Sequence, residues 1–448
     1  MNFGSDINDM DIIQLPLTSL LNNIMQTPQS GQILNLKEGS IVPATIVEIR
    51  GGSFATIQIA EVKLNAKLYA DLQVGDKVNL LVTGNIDQEA IELKLISKIS
   101  FNNVNQQQLD IEGLANIFDI SDKDEAKPLL KELINSGISI NPEIIQSAIK
   151  ALKQLPLGSV SSVTLANIIE LGIPIMPETL IAVQTLESNF NFHELLSKLN
   201  TSTQAIVDEG LERPLPQTTF QNLQQFHNIL KQLLNESSNV TELNTKVNLL
   251  GLDHEIKIAD LISKGLDTNI NLTLKHLLLS LQGQAADLQK AGLSSLVENL
   301  DILLNHLTGQ QLITQAVQDK SGQVYSFFSI PMKTNEANQT IEFQVMSKNK
   351  AGSKSLDPLN CYILIHLQMP NLGGLDIHMN IVDNNVNLRF VSDKPTKIAQ
   401  VDRDEINMAL NDVGFNLDMF KFEEKEHPNS RLEVLPPIIS HKKIDTKV

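Results

Sequence analysis

The feature that most constrains this chain is a hydrophobic period that changes twice. From Leu36 to about Ile99 apolar residues alternate in short runs. From about Ile111 to Gln315 they recur every three or four residues, and after Gly322 they alternate again. Period two belongs to strands and a period near 3.6 to one stripe of a helix. No single regular architecture accommodates both. The expected fold is therefore multidomain. A small N-terminal β-barrel spans 36–100 and a linker 101–110. An all-α middle region with helical repeats spans 111–318. A C-terminal α+β domain spans 319–425, with a mainly antiparallel sheet packed on a helix. Residues 1–35 read as a disordered arm containing one apolar piece, "IIQLPLTSLLNNIM", and 426–448 as a flexible tail. A length of 448 residues suits two to four domains.

The first alternating region carries Gly-containing turns at Gly39, Gly51-Gly52, Gly75-Asp76 and Gly84-Asn85, which divide it into about five short strands. This is the size of an oligonucleotide-binding or SH3-like barrel. A barrel that reads nucleic acid needs stacking rings, and only Phe54 and Tyr69 are available here. The net charge of −17 argues the same way, because phosphate and anionic lipid both call for clustered Lys and Arg. Neither nucleic acid nor membrane insertion is expected. No apolar run approaches the roughly 20 residues of a spanning helix, and no Lys or Arg precedes Lys37 to form the start of a secretory signal. A cytoplasmic location is expected.

The helical region contains a repeat. "LINSGISINPEIIQSAIKAL" from Leu133 matches "IIELGIPIMPETLIAVQTL" from Ile168. Gly137 aligns with Gly172, Pro142 with Pro177 and Glu143 with Glu178. Glycine ends one helix in the left-handed conformation, proline starts the next where its missing N–H costs nothing, and glutamate suits the positive end of the helix dipole. The bland reading is a duplicated helical scaffold; the sharper one is a peptide-binding groove.

In the C-terminal region five strands read cleanly. Ile341, Phe343 and Val345 face one way, as do Cys361, Ile363, Ile365 and Leu367, then Leu375, Ile377, Met379 and Ile381, then Val386, Leu388 and Phe390. The opposite face carries Glu342, Gln344, His366, Gln368, Asp376, His378, Asn380, Asn387 and Arg389, and is expected to be wet. "DNN" at 383–385 forms a tight hairpin, and a helix from about Pro395 to Val413 ends at Gly414 before a last strand, "FNLDMFKF".

The sequence carries no specific catalytic motif. His193-Glu194 and His254-Glu255 lack the second histidine of a zinc protease, and no nucleophile elbow or phosphate loop is present. The single cysteine, Cys361, sits at an apolar strand position and reads as a small core residue. His366 and His378 lie on one polar face and, if directly opposite, come within reach of a shared metal. A site normally needs three or four ligands, and only Asp376 stands nearby. The bland reading is two surface histidines that meet a partner. No cofactor and no enzymatic activity are expected.

The segment "LQMPNLGGLDIHMNIVDNNVNLRFVSD…INMALNDVGFNLDMF" resembles the C-terminal domain of flagellar hook-length control proteins. The resemblance is carried by Met369, Leu372, Gly373, Leu375, Val386, Leu388, Leu410, Gly414 and Leu417. "LLNHLTGQQLI" (303–313), the barrel and the repeats resemble variant members in which ordered modules precede that domain. The resemblance implies a non-enzymatic switch of substrate specificity in flagellar type III export. Its C-terminal domain would meet the cytoplasmic domain of the export-gate switch protein, with hook or hook-cap subunits as further partners. It also implies export through the same apparatus, for which residues before Lys37 suit a signal. The partner is expected to bind around Leu372, Gly373, Gly374 and Leu375, and on the polar face with His366, His378 and Arg389. The rival reading is an adaptor module of another assembly.

Overall fold

The computed structural model describes residues 12–16, 36, 38–51, 53–59, 62–86, 90–99, 127, 129–131, 133–134, 139–156, 158–188, 191–210, 215–236, 240–253, 272–333, 338–347, 356–369, 373–392 and 403–424. They fall into two compact units, Met1–Leu180 and Ile181–Val448.

The first unit is built on a closed six-stranded barrel in the order β1-β4-β3-β2-β5-β6. The strands are β1 (Ile12–Pro16), β2 (Ile41–Arg50), β3 (Phe54–Ile59), β4 (Val62–Leu68), β5 (Lys77–Ile86) and β6 (Ala90–Ile99). Five of them follow the expected alternation. The sixth corrects the reading of residues 1–35 as a disordered arm, since the apolar "IIQLP" is β1. It pairs with both β4 and β6, which closes the sheet and removes its edges. Ile13 and Leu15 point inward and are fully buried with Ile46, Ile57, Leu64, Leu80 and Leu93. The rest of the arm, the linker 101–110 and the tail 426–448 lie outside the described residues.

The barrel does not stand apart from the helices that follow. Ile41 and Ile140 exchange both backbone hydrogen bonds, at 2.8 and 3.0 Å, in an isolated antiparallel bridge. Asn79 Nδ2 also donates to the Ile134 carbonyl at 3.4 Å. The expected boundary at 110/111 thus falls inside one compact unit. Helix α1 (Pro142–Leu152) starts where the Asn141 side chain accepts from the Ile144 amide, with Pro142 and Glu143 in its first turn. Helix α2 (Ser162–Leu171) is capped by Ser161 and stopped by Gly172 at φ 70°. Helix α3 (Pro177–Glu187) begins at the second Pro-Glu pair. Gly137, the first copy's stop signal, lies outside the described residues.

In the second unit, helices α4 (Phe192–Glu209), α5 (Gln217–Leu234), α6 (Val240–Leu250), α7 (Leu274–Gly283), α8 (Ala285–Lys290) and α9 (Ser294–Ser321) share one core. Phe192, Leu199, Phe226, Leu230, Leu277 and Leu303 are its centre, each at most 1% exposed. The unit continues into a six-stranded sheet in the order β12-β11-β10-β9-β8-β7. Its strands are β7 (Val324–Lys333), β8 (Asn338–Ser347), β9 (Asn360–Met369), β10 (Gly373–Val382), β11 (Asn385–Ser392) and β12 (Asn416–Glu424). Neighbours from β7 to β11 are antiparallel. β12, reached through helix α10 (Arg403–Asp412), is parallel to β11, so the sheet is mixed. The expected boundary at 318/319 also disappears, because α9 runs to Ser321 and contacts β7 directly. No described helix is long and apolar enough to cross a membrane.

Candidate functional site

The faces of the C-terminal sheet follow from alternation and register. Cys361, Leu367, Leu375, Ile381, Val386, Leu388 and Phe390 form one buried cluster. Ile406 and Leu410 of α10, with Leu417, Phe420 and Phe422, are half-buried against it. Phe390, Phe420 and Phe422 meet pairwise at ring separations of 4.9–5.3 Å, close enough for edge and tilted ring contacts. Cys361 belongs to this cluster, and its Sγ lies 3.7 Å from the Pro358 carbonyl. Burial pushes its thiol up, helped by Asp357.

The opposite face is polar, as expected, but only part of it is open. At the β7–β8 end, helices α4, α5 and α9 contact the sheet. There Glu342, Gln344 and Ser329 are buried, and Tyr325 donates its hydroxyl to Gln344 Oε1 at 3.3 Å. At the start of α4 the His193 amide donates to Thr340 Oγ1 at 3.1 Å. An amphipathic strand pattern records which residues share a face, not whether another layer covers it. The expectation of a wholly wet face is therefore corrected to a half-open window over β9, β10 and β11.

Two polar groupings hold that window. The short connection after Met369 sets Met369 opposite Gly373, which pairs His366 with Asp376 and His378 with Leu364. The two histidines are diagonal neighbours rather than directly opposite, so the arrangement that a shared metal required does not form. Among the described residues no group of three or more His, Cys, Asp and Glu is placed to hold a metal. His366 Nδ1 instead pairs with the nearly buried carboxylate of Asp376. The Tyr362 hydroxyl shares a hydrogen bond with His378 Nδ1. Burial pushes the Tyr362 hydroxyl up to about 12, against the opposing pull of Arg389. Arg389 lies directly across from His378 and bonds Glu423 Oε2 at 3.2 Å.

The predicted site residues are thus divided. His366, His378 and Arg389 come together on the half-open polar face. Leu375 does not join them. It is 5% exposed in the apolar cluster, where an even register with Leu367 puts it. Gly373 and Gly374 open β10 opposite Met369 and Gln368, and Gly373 sits at φ 77°, a conformation that a side chain would strain. Leu372 lies outside the described residues. Sequence reasoning missed Tyr362 and Glu423. Tyr362 was legible in principle, because it shares the polar-face parity of His366. Glu423 was not, because its place depends on a parallel pairing that no local pattern encodes.

A separate cleft of about 600 Å³ lies among α6, α7, α9 and β7, lined by Asn248, Lys275, Gln311, Thr314, Phe327 and Phe328. Lys275 is buried and donates to Gln311 Oε1, which ties α7 to α9. Comparison with protein-family models, curated proteins and solved structures finds no match for this chain.

Proposed function

We propose that the chain is a non-enzymatic protein of flagellar type III export, and that its C-terminal sheet binds the cytoplasmic domain of the export-gate switch protein. The observation that carries this reading is the half-open window of His366, His378 and Arg389. Tyr362, Asp376 and Glu423 hold these side chains in fixed places, as a surface for polar recognition requires. The order of elements supports it too. From Gly373 the chain runs strand, hairpin, strand, helix and strand, with Gly414 turning α10 into β12 at φ 88°. That is the order the hook-length control resemblance implies. The residues that carry the resemblance divide accordingly. Leu375, Val386 and Leu388 are core, with Leu410 and Leu417 against it. The partner would therefore read the polar face and not the motif itself.

In this reading the barrel and the helical repeats form a scaffold ahead of the switching domain. The chain acts in the cytoplasm and is exported, and hook or hook-cap subunits are further partners. Replacing Arg389 by Ala tests it. Such cells are expected to make overlong hooks or to lack filaments while the variant accumulates to normal levels. Normal hooks and filaments with folded variant would instead favour an adaptor serving another assembly.

A further inference from the structure

One outer face of the barrel is free of carboxylates. The inward residues of β1, β4 and β3 are apolar: Ile13 and Leu15, then Leu64, Ala66 and Leu68, then Ala55, Ile57 and Ile59. Their alternates point outward. On β4 these are Lys63, Asn65 and Lys67, and on β3 Phe54, Thr56 and Gln58, with Gln14 between the inward pair of β1. The face therefore carries two lysines and no acid, in a chain whose net charge is −17. The pairing register lays one row across it. Arg50 of β2 lies opposite Phe54, Phe54 opposite Lys67, and Lys67 opposite Gln14. Neighbouring strands are about 4.8 Å apart, so a cationic side chain stands on each side of the Phe54 ring.

A second ring joins the row. Lys67 Nζ lies 4.8 Å from the centre of the Tyr69 ring, and the Tyr69 hydroxyl donates to Gln14 Oε1 at 3.5 Å. Phe54 is 58% and Tyr69 38% exposed, which makes them the two most exposed aromatic side chains among the described residues. The described carboxylates nearest the face lie on its rim: Glu48 on β2, Asp71 beyond Tyr69 and Glu92 on β6. Glu48 bonds Arg50 at 2.7 Å, but both side chains are more than half exposed, and an exposed pair of this kind exchanges readily for another anion.

A closed barrel has no free strand edge for an extended peptide to join, so a ligand of this face is held by side chains. Rings interleaved with cations suit a polymer in which every unit carries one flat base and one phosphate. Composition argued against such a ligand through net charge and ring count. Charges more than about 8 Å away are largely screened at physiological salt, so the local face decides. Folding also brings together the two rings that the sequence could only count. We infer that this face binds single-stranded nucleic acid, DNA or RNA, with bases stacked on Phe54 and Tyr69 and phosphates at Lys67, Arg50 and Lys63. The inference is independent of the role proposed for the C-terminal sheet.

The test uses the full chain with fluorescein-labelled oligothymidylate and oligouridylate of about ten nucleotides, read by fluorescence anisotropy. Saturable binding is expected at about 50 mM salt, with a Kd of about 10–100 µM, as for contacts without sequence preference. Two or three phosphate contacts give a slope of log K against log salt of about −1.4 to −2.1. The tighter of the two strands names DNA or RNA as the ligand. Phe54→Ala should weaken binding at least about fivefold, the loss of one stacked base, and Phe54→Tyr should keep it. Lys67→Glu should weaken it at least about tenfold. Lys77→Glu makes the same charge change on β5, outside the face, and should leave binding as it is. Several results would overturn the inference. They are no saturation by about 500 µM chain, parental binding by Phe54→Ala, or an equal loss in Lys77→Glu. Equal displacement by polyglutamate would also overturn it, by making the face a dock for acidic protein segments.

Discussion

Phe327 and Thr314 are joined twice. The Phe327 amide donates to the Thr314 hydroxyl at 3.0 Å, and that hydroxyl lies 3.5 Å from the Phe327 carbonyl. One side chain of α9 thereby stands in for the strand that β7 lacks. Thr314→Val keeps the shape and removes the hydroxyl. The amide is then left without its acceptor, at a cost of about 1–3 kcal/mol. The urea midpoint should drop with an unchanged m-value. An unchanged midpoint would show that β7 does not depend on this cap.

Gly309 gives a prediction whose sign opposes propensity. In an exposed helix, Gly→Ala stabilises by about 1 kcal/mol. At Gly309 of α9 an added Cβ would stand 2.5 Å from the Ala182 carbonyl oxygen and 2.9 Å from Leu186 Cβ. Backbone has little room to yield, so Gly309→Ala should destabilise by about 1–3 kcal/mol, as overpacking does. Thermal unfolding checks it, and a raised midpoint would contradict the close approach.

His193 and His227 make the second unit sensitive to acid. Burial holds His193 below the usual histidine range, with Lys246 and Lys333 adding to the effect. Burial also lowers His227, helped by Lys231. A histidine kept neutral by folding titrates first in the unfolded chain. Unfolding therefore takes up protons as pH falls through about 6.5, and stability declines with it. The decline continues until the folded state also protonates. His193→Gln and His227→Gln should each flatten the slope of stability against pH below about 6.5. Slopes identical to the parent chain would show that neither histidine is held neutral.

Ile13 tests the closure of the barrel. It is fully buried and lies opposite Leu68 on one side and Leu93 on the other. Ile13→Ala should cost about 2–5 kcal/mol, the usual range for an emptied core site. A chain with parental stability would mean that β1 contributes nothing to the barrel.

Alternation alone placed Ile363, Ile365, Leu375, Ile381, Val386 and Leu388 on one face, and they are there. The same local signals gave the hairpin at Asp383, which adopts φ 54°. What was not legible depends on distant pairing. Nothing local in "IIQLP" says that it will close a barrel, because β4 and β6 lie far along the chain. The register of β9 and β10 depends on the length of one short connection. A register shifted by two residues would set His378 opposite His366, where the structure has Asp376. The covering of Glu342 and Gln344 was hidden for a third reason. Both are polar, so they read as solvent-facing, yet each is buried where the helices cover the sheet. At the candidate site, parity found His366, His378 and Arg389, and the same parity removes Leu375 to the core.

The most direct test of the account is the affinity of the full chain for the cytoplasmic domain of the export-gate switch protein from the same cell, measured by calorimetry. The full chain is required, because α9 seals β7 and a C-terminal fragment would lose that edge. The account predicts saturable binding in the micromolar range, about −8 kcal/mol, weakened at least tenfold by Arg389→Ala together with His378→Ala. Absence of binding, or binding untouched by the double variant, would contradict the claim that the polar window of this sheet is the surface through which the protein acts.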